Sequence, residues 1–325
     1  MTGMDIADPH IRPVQLRRDL PQIADLVEIC FAPYLDAEGR DYVRHIRTAA
    51  RDYAGYILDN STPESSNLPF HGYVWVENNR IIGNLTLIVI RRYLKHAYFV
   101  ANVAVHPEHR GQGIARKLTD RAIAHVSVNG GKTIYLQVRS ENTVAQQLYL
   151  THGFEEMSRR TQWIFRPGQD KGAEAPGGIR VSKRRKADWA QQQDWLKALF
   201  PPELAWNFPL QIEKLEPTLA NTIDNLMNGV YQRSWSAYED NQLIGNATLA
   251  RRGEPNDPVW LATTPAWEDK AIRGLLPEIQ RHVLAPHRLT VNYPAGRGVE
   301  AFRAAGMVES NTLIWMKRHM ERAIP

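Results

Sequence analysis

The stretch Ala101-Asn102-Val103-Ala104-Val105-His106-Pro107-Glu108-His109-Arg110-Gly111-Gln112-Gly113-Ile114-Ala115 changes structural character midway. Its first part alternates, with Val103 and Val105 on one face, as a short strand does. Pro107 ends that strand, because it lacks a backbone donor and restricts the residue before it. Gly111 and Gly113 then open a helix whose apolar face runs Ile114, Leu118, Ala122, Val126 at a spacing of four. The first N–H groups of a helix have no partners of their own, and its dipole favours negative charge there. Small residues at 111, 113 and 115 let an anionic group such as a phosphate approach that backbone, and Arg110 adds a positive charge. Alone, a Gly-x-Gly turn is equally compatible with a plain structural role.

A second block follows. Thr133–Val138 alternates Ile134, Leu136 and Val138 against Tyr135 and Gln137, a strand, and Asn142, Ala145, Tyr149 and Gly153-Phe154 come after it. Together the two blocks resemble the GNAT superfamily of acetyl-CoA-dependent N-acetyltransferases. Arg110-Gly111-Gln112-Gly113-Ile114-Ala115 is similar to its pyrophosphate loop, and Asn142, Tyr149 and Gly153-Phe154 to its second signature. The resemblance covers roughly residues 70–166.

The resemblance implies an α/β (α+β) fold, a mixed, mostly antiparallel sheet flanked by helices, with acetyl-CoA as co-substrate. It assigns the pyrophosphate to Arg110, Gly111, Gln112, Gly113, Ile114, Ala115 and Arg116. It assigns the pantetheine arm to the strand backbone at Val103, Ala104 and Val105, where an N–H would also face the oxyanion. Asn142 would serve the pantetheine or cap a helix. Tyr149 stands at the family's general-acid position. A phenol near pKa ~10 can donate to a thiolate near ~8.5 as charge grows on sulfur; the plain alternative for Tyr149 is packing under its helix.

The base is less legible. Leu136-Gln137-Val138-Arg139 resembles the Leu-Glu-Val-Arg stretch of ribosomal-protein N-terminal acetyltransferases, but Gln137 stands where they carry a glutamate base. His96, Tyr98, Asn102 or a water chain are the remaining candidates. His106-x-x-His109 has the look of a metal pair, yet no third ligand is recognisable along the chain, so no metal is expected. Trp189, Trp195, Trp206 and Trp235 read as core or interface residues.

Composition sets wider limits. The chain has 325 residues, enough for two domains, with 43% hydrophobic and 23% charged residues. A net charge of +5, from 40 basic and 35 acidic residues, does not suggest a nucleic-acid protein. Lys183-Arg184-Arg185-Lys186 reads as a solvated strand end. No apolar run suits a membrane span, and Met1–Arg12 lacks the apolar core of a signal peptide. Cys30 is the only cysteine, which points to a reducing cytoplasm.

In order, Ile11–Leu16 reads as a strand, and a helix follows with Ile23, Leu26, Val27 and Cys30 on its apolar face and Asp19 as its cap. Phe31–Asp59 looks helical, with Tyr34, Tyr42, Ile46 and Tyr53 available for burial, and Asn60–Pro69 is a loop. Tyr73–Glu77 and Ile81–Val89 form a hairpin about Asn78-Asn79. Pro167–Gly178 reads as a linker, after which the pattern repeats. Ile179-Arg180 follows Ile11-Arg12, Tyr238–Asn246 follows Val76–Asn84, and Glu300–Met307 follows Gln147–Phe154. Residues 1–168 are thus expected to form a GNAT acetyltransferase domain and 177–325 a degenerate copy, two tandem folds.

Aligning Pro265 with Pro107 sets Glu268 at Arg110, Asp269 at Gly111, Ala271 at Gly113 and Arg273 at Ala115, with Phe302 at Tyr149. Carboxylates and a bulky arginine would repel a pyrophosphate. The layout resembles that of mycothiol synthase, where, however, the C-terminal copy is the competent one. The expected activity is acetyl transfer to a primary amine, first a small molecule and second a protein N-terminus or lysine. The rival is a non-catalytic acyl-CoA sensor or scaffold.

Overall fold

Alternating apolar residues and tight asparagine turns build two units of the same plan. The computed structural model describes residues 8–34, 37–51, 71–90, 96–168, 177–253, 255–283 and 285–320. They cluster by contact into two units, Met1–Met157 with Trp315–Pro325, and Ser158–Ile314.

In the first unit, strands β1 (Ile11–Pro13), β2 (Gly72–Glu77), β3 (Arg80–Ile90), β4 (Ala97–Val105) and β5 (Thr133–Arg139) lie side by side in chain order. Every pairing among them is antiparallel except β4 with β5. The β2–β3 turn uses Asn78 at φ 47° and Asn79 at φ 63°, a left-handed pair that asparagine tolerates. Neighbouring residues of a strand face opposite sides, and β2 shows the result. Val74 packs with Leu20, Ile23, Val27 and Ile46 of α1 (Leu16–Phe31) and α2 (Ala37–Arg51). Trp75, beside it, faces Gly83 and α3 (Ile114–Val128). The expected α3 stripe is buried, Ile114, Leu118, Ala122 and Val126 each being at most 2% exposed. A β-carbon on Gly83 would lie 2.8 Å from Ile114 Cγ2 and 3.0 Å from Trp75 Cβ, so this strand meets the helix only because position 83 has no side chain.

The second unit repeats this. Its strands are β6 (Glu155–Phe165, from Ser158 on), β7 (Ile179–Lys183), β8 (Tyr231–Glu239), β9 (Gln242–Arg251), β10 (Asn256–Thr263), β11 (Arg288–Pro294) and part of β12 (Val308–His319). The order is β7-β8-β9-β10-β11-β6-β12. The β8–β9 turn has Asp240 at φ 46° and Asn241 at φ 65°, and Gly245 meets Ala271 as Gly83 meets Ile114. Trp235 is in the core, Trp189 and Trp195 pack against it, and Trp206 is half-buried with its indole donating to the Glu203 carbonyl at 3.0 Å.

Several expectations change. The first strand stops at Pro13, and α1 begins at Leu16, so Asp19 sits inside its first turn. There its buried carboxylate accepts from the Gln15 N–H at 2.7 Å and from Arg12. Lys183, Arg185 and Lys186 are exposed at the end of β7, as expected, whereas Arg184 is half-buried and donates to Gln192 at 2.7 Å, and Arg185 also holds buried Asp188. The units also divide differently from the expected 168/177 break. Residues 160–165 of β6 pair with Pro294–Leu289 of β11, which puts this stretch in the second unit, while Trp315–His319 of the last strand belong to the first. Tyr53, the loop Asn60–Pro69 and residues 169–176 of the expected linker lie outside the described residues. Among the described residues, no helix is long and apolar enough to cross a membrane.

Two outcomes follow. Gly83→Val should destabilise the chain by about 1–3 kcal/mol through overpacking against Ile114, read from denaturant midpoints. A fragment ending at residue 168 lacks the strand end 315–319 and retains 158–165 without β11, so it should be less soluble than the full chain and bind acetyl-CoA poorly, as sedimentation and calorimetry would show.

Candidate active site

Strand β4 changes partners midway. It pairs with β5 from Ala97 opposite Thr133 to Val100 opposite Leu136, and there the register ends, although β4 runs on to Val105 and β5 to Arg139. On its other side β4 stays with β3, with one extra residue accommodated between the Thr86–Ala101 and Asn84–Ala104 pairs. Asn102 takes that kink at φ 49°. Its amide donates to Tyr42 Oη at 2.5 Å and Thr86 Oγ1 at 3.3 Å, and its carbonyl accepts from Asn84 Nδ2 at 3.0 Å. Burial pushes the Tyr42 phenol up to about 12, opposed by the hydrogen bond from Asn102. Beyond Val100 the β4 backbone is therefore held by β3 on one side and not paired with β5 on the other, which leaves Val103 and Ala104 without that second partner strand.

Beyond β4, a single turn of 3-10 helix, Pro107–His109, leads into the glycine loop. Gly111 and Gly113 have φ of 78° and 80°, which only glycine adopts freely. A β-carbon on either would meet nothing within 4 Å. Gly113 caps α3 with no side-chain hydrogen bond, so the first-turn N–H groups of Ile114, Ala115 and Arg116 face outward without a capping acceptor. Gly111, Gln112, Gly113, Arg110 and Arg116 are exposed, while Ile114 is buried and anchors the turn. The Arg110 guanidinium folds back, its Nε donating to the Val105 carbonyl at 3.2 Å. That carbonyl also accepts from Cys30 Sγ at 3.2 Å, and burial raises the thiol's pKa. Open backbone, space above two glycines and two nearby arginines suit a pyrophosphate, so the residues present fit the co-substrate that the resemblance implies.

Asn142 caps α4 (Thr143–Thr151), its Oδ1 accepting from the Ala145 N–H at 3.1 Å. Tyr149 on this helix is 5% exposed, edge-on to Phe154 at 5.8 Å, and burial raises its phenol well above the ordinary range. His152 secures the helix: Nδ1 lies 2.6 Å from the Leu148 carbonyl and Nε2 3.2 Å from Asp120 of α3, while Arg318 of β12 donates to its carbonyl. Sequence reading missed Tyr42, Thr86 and His152. Their partners are distant in the chain or bonded through the backbone, and no spacing announces them.

The base candidates separate. Asn102 lies at the parting, but its amide is a donor there. Tyr98 is opposite Ile134 in the paired half of β4, and His96 is exposed in the turn before it. From Tyr98 to Val103 is about 16 Å along an extended strand. His106 and His109, expected to be ordinary loop residues, have Glu108 and Glu77 beside them.

The second unit keeps the parting and has lost the loop. Pairing of β10 with β11 ends at Pro258 opposite Thr290, short of both strand ends. The missing β-carbon of Gly245 faces Ala271 and Leu275, as that of Gly83 faces Ile114 and Leu118. This packing aligns Ala271 with Ile114, one place away from the proline-based alignment. Glu268, Asp269 and Lys270 therefore replace Gly111, Gln112 and Gly113, and Arg273 stands at Arg116 rather than at Ala115. Helix α5 (Glu268–Gln280) simply starts earlier, filling the loop with a further turn. Glu268 is buried there, accepting from Tyr293 Oη at 3.0 Å and Arg297 Nε at 2.8 Å. Phe302, in place of Tyr149, is fully buried and stacked on Trp163 at 4.8 Å.

Comparison with known proteins agrees with this geometry. A family model described as Acetyltransferase (GNAT) family matches residues 27–154. The [ribosomal protein bS18]-alanine N-acetyltransferase of Haemophilus ducreyi is 31% identical over 113 residues, which is 35% of this chain and 72% of that protein. The mycothiol acetyltransferase of Jonesia denitrificans is 29% identical over 115 residues, 35% of this chain and only 32% of that protein. A crystal structure of a GCN5-related N-acetyltransferase from Sphaerobacter thermophilus covers 98% of this chain and 97% of its own, with a TM-score of 0.60 at 16% identity. The parted strands, the glycine-built helix start and these likenesses have one meaning: the chain belongs to the GNAT family of acetyl-CoA-dependent N-acetyltransferases.

Proposed function

We propose that the first unit binds acetyl-CoA and acetylates the primary amine of a small molecule in the cytoplasm, while the second unit binds no co-substrate. The observation that carries this reading is the coincidence, in one unit, of a strand pair that parts after Val100 and a helix start built on Gly111 and Gly113. When bound, acetyl-CoA supplies an activated acetyl thioester. Gly111, Gln112, Gly113, Ile114 and Ala115 hold its pyrophosphate with backbone N–H groups, and Arg110 and Arg116 add charge. Val103, Ala104 and Val105 offer main-chain hydrogen bonds to the pantetheine arm, with an N–H toward the oxyanion. Burial raises the Tyr149 phenol and keeps it protonated; at the general-acid position that the resemblance implies, its Oη would donate to the departing thiolate. Gln137 accepts no proton and the Asn102 amide is engaged as a donor, which leaves a water chain, with His96 or Tyr98 beyond it, to take the amine's proton.

Gln137 in place of a glutamate favours a small acceptor over a protein N-terminus, and the likeness to an enzyme named for mycothiol agrees. The second reading, a protein N-terminal alanine, is favoured by the higher identity to the bS18-alanine enzyme. Transfer assays with a panel of small amines beside alanine-initiated peptides separate the two. Activity on peptides alone would replace the first reading with the second, and acetyl-CoA binding without transfer to either would favour a sensor.

Calorimetry should find one acetyl-CoA per chain, and Gly113→Glu should abolish it by bulk and charge. Two equivalent sites would overturn the assignment of Glu268 as a filler. Tyr149→Phe should lower turnover by about 10²–10⁴ while co-substrate affinity changes little, as steady-state kinetics with calorimetry would show; unchanged turnover would leave Tyr149 a packing residue.

A further inference from the structure

The turn between β4 and the glycine loop carries a group of side chains that acetyl transfer does not use. His106, Glu108 and His109 offer ligand atoms that all lie within 4.8 Å of one another. A fourth donor comes from β2, where Glu77 Oε2 is 3.8 Å from His109 Nδ1. His106 Nδ1 stands 3.9 Å from Glu108 Oε2. Both separations are too long for hydrogen bonds. They are close to the edge of about 3.3 Å that ligands at ~2.0 Å from one ion would share. His106 Nδ1 is buried and has no hydrogen-bond partner among the described residues, an expensive state for a ring nitrogen unless something binds it.

The fourth ligand is already oriented. Glu77 Oε1 accepts from the Trp75 indole at 2.8 Å, which leaves Oε2 turned to His109. Trp75 is itself held, stacked on His10 at 5.1 Å with Lys117 over its ring. A second shell that fixes a ligating carboxylate in this way is a usual accompaniment of a metal ion. Two imidazoles and two carboxylates, with no thiolate, suit zinc better than the all-oxygen preference of magnesium or calcium. We propose that His106, Glu108, His109 and Glu77 form a zinc site that ties the turn before the glycine loop to strand β2. The site is structural: its donors lie on the turn before Arg110 and on β2, outside the residues assigned to acetyl-CoA. It stands independently of the acceptor and of the role given to Tyr149.

The test uses the full chain, stripped with EDTA and dialysed, then titrated with zinc alone by calorimetry. One ion per chain is expected, with a thermal midpoint that rises with zinc and not with magnesium. Glu77→Gln and His109→Gln should each weaken binding at least tenfold. Glu108→Gln, at a position 83% exposed and safe for folding, should weaken it as well. Circular dichroism matching the unmutated chain establishes that each variant is folded. No stoichiometric uptake, or equal affinity in folded Glu77→Gln, His109→Gln and Glu108→Gln chains, would overturn the site and leave the cluster as surface ion pairs.

Discussion

Backbone polar groups inside a sheet must find partners, and strand β4 gives up half of its partners after Val100. The rest of the first unit serves that concession. The kink at Asn102 turns the strand, and the Asn84, Thr86 and Tyr42 side chains hold the kink so that β4 does not close back onto β5. The open edge is then aimed at the start of α3, which is held close by the side-chain-free contact at Gly83. The strand edge and the helix start proposed for the two parts of the co-substrate thus lie within one turn of chain, and both offer main chain more than any particular side chain.

The two units form an internal experiment. Both retain the parted strands, the left-handed hairpin and the glycine under the helix, so these belong to the fold itself. What differs is where the helix begins. One extra turn, headed by a glutamate that Tyr293 and Arg297 satisfy internally, fills the place that the glycine loop holds in the first unit. Charge repulsion at Glu268 is the lesser effect, because the carboxylate faces the protein interior.

Motifs local in the chain were legible. The alternation through Val105, the stripe Ile114–Val126 and the paired hairpins reported both the elements and their duplication. The glycine loop reported its own backbone conformation, because φ near 80° is a property of residue type. Alignment of the second copy failed by one residue, since Pro265 marks where a strand stops and carries no information on where the following helix starts. The role of Glu77 was invisible for a related reason. It is about thirty residues from His109 in sequence, and only the sheet brings β2 beside the turn. The early boundary was likewise unreadable, because a glycine-rich linker announces a flexible segment and says nothing of which unit its flanking strands join.

That exchange of strands has a consequence for how the molecule is made. Residues 315–319 complete the first unit, yet they leave the ribosome only after every residue of the second has been synthesised. Domain-by-domain folding during synthesis, N-terminal part first, is the common route for chains of this size. Here the N-terminal unit waits with an exposed edge at β5, and the half proposed for acetyl transfer matures last. A truncated product would therefore carry an unfinished first unit.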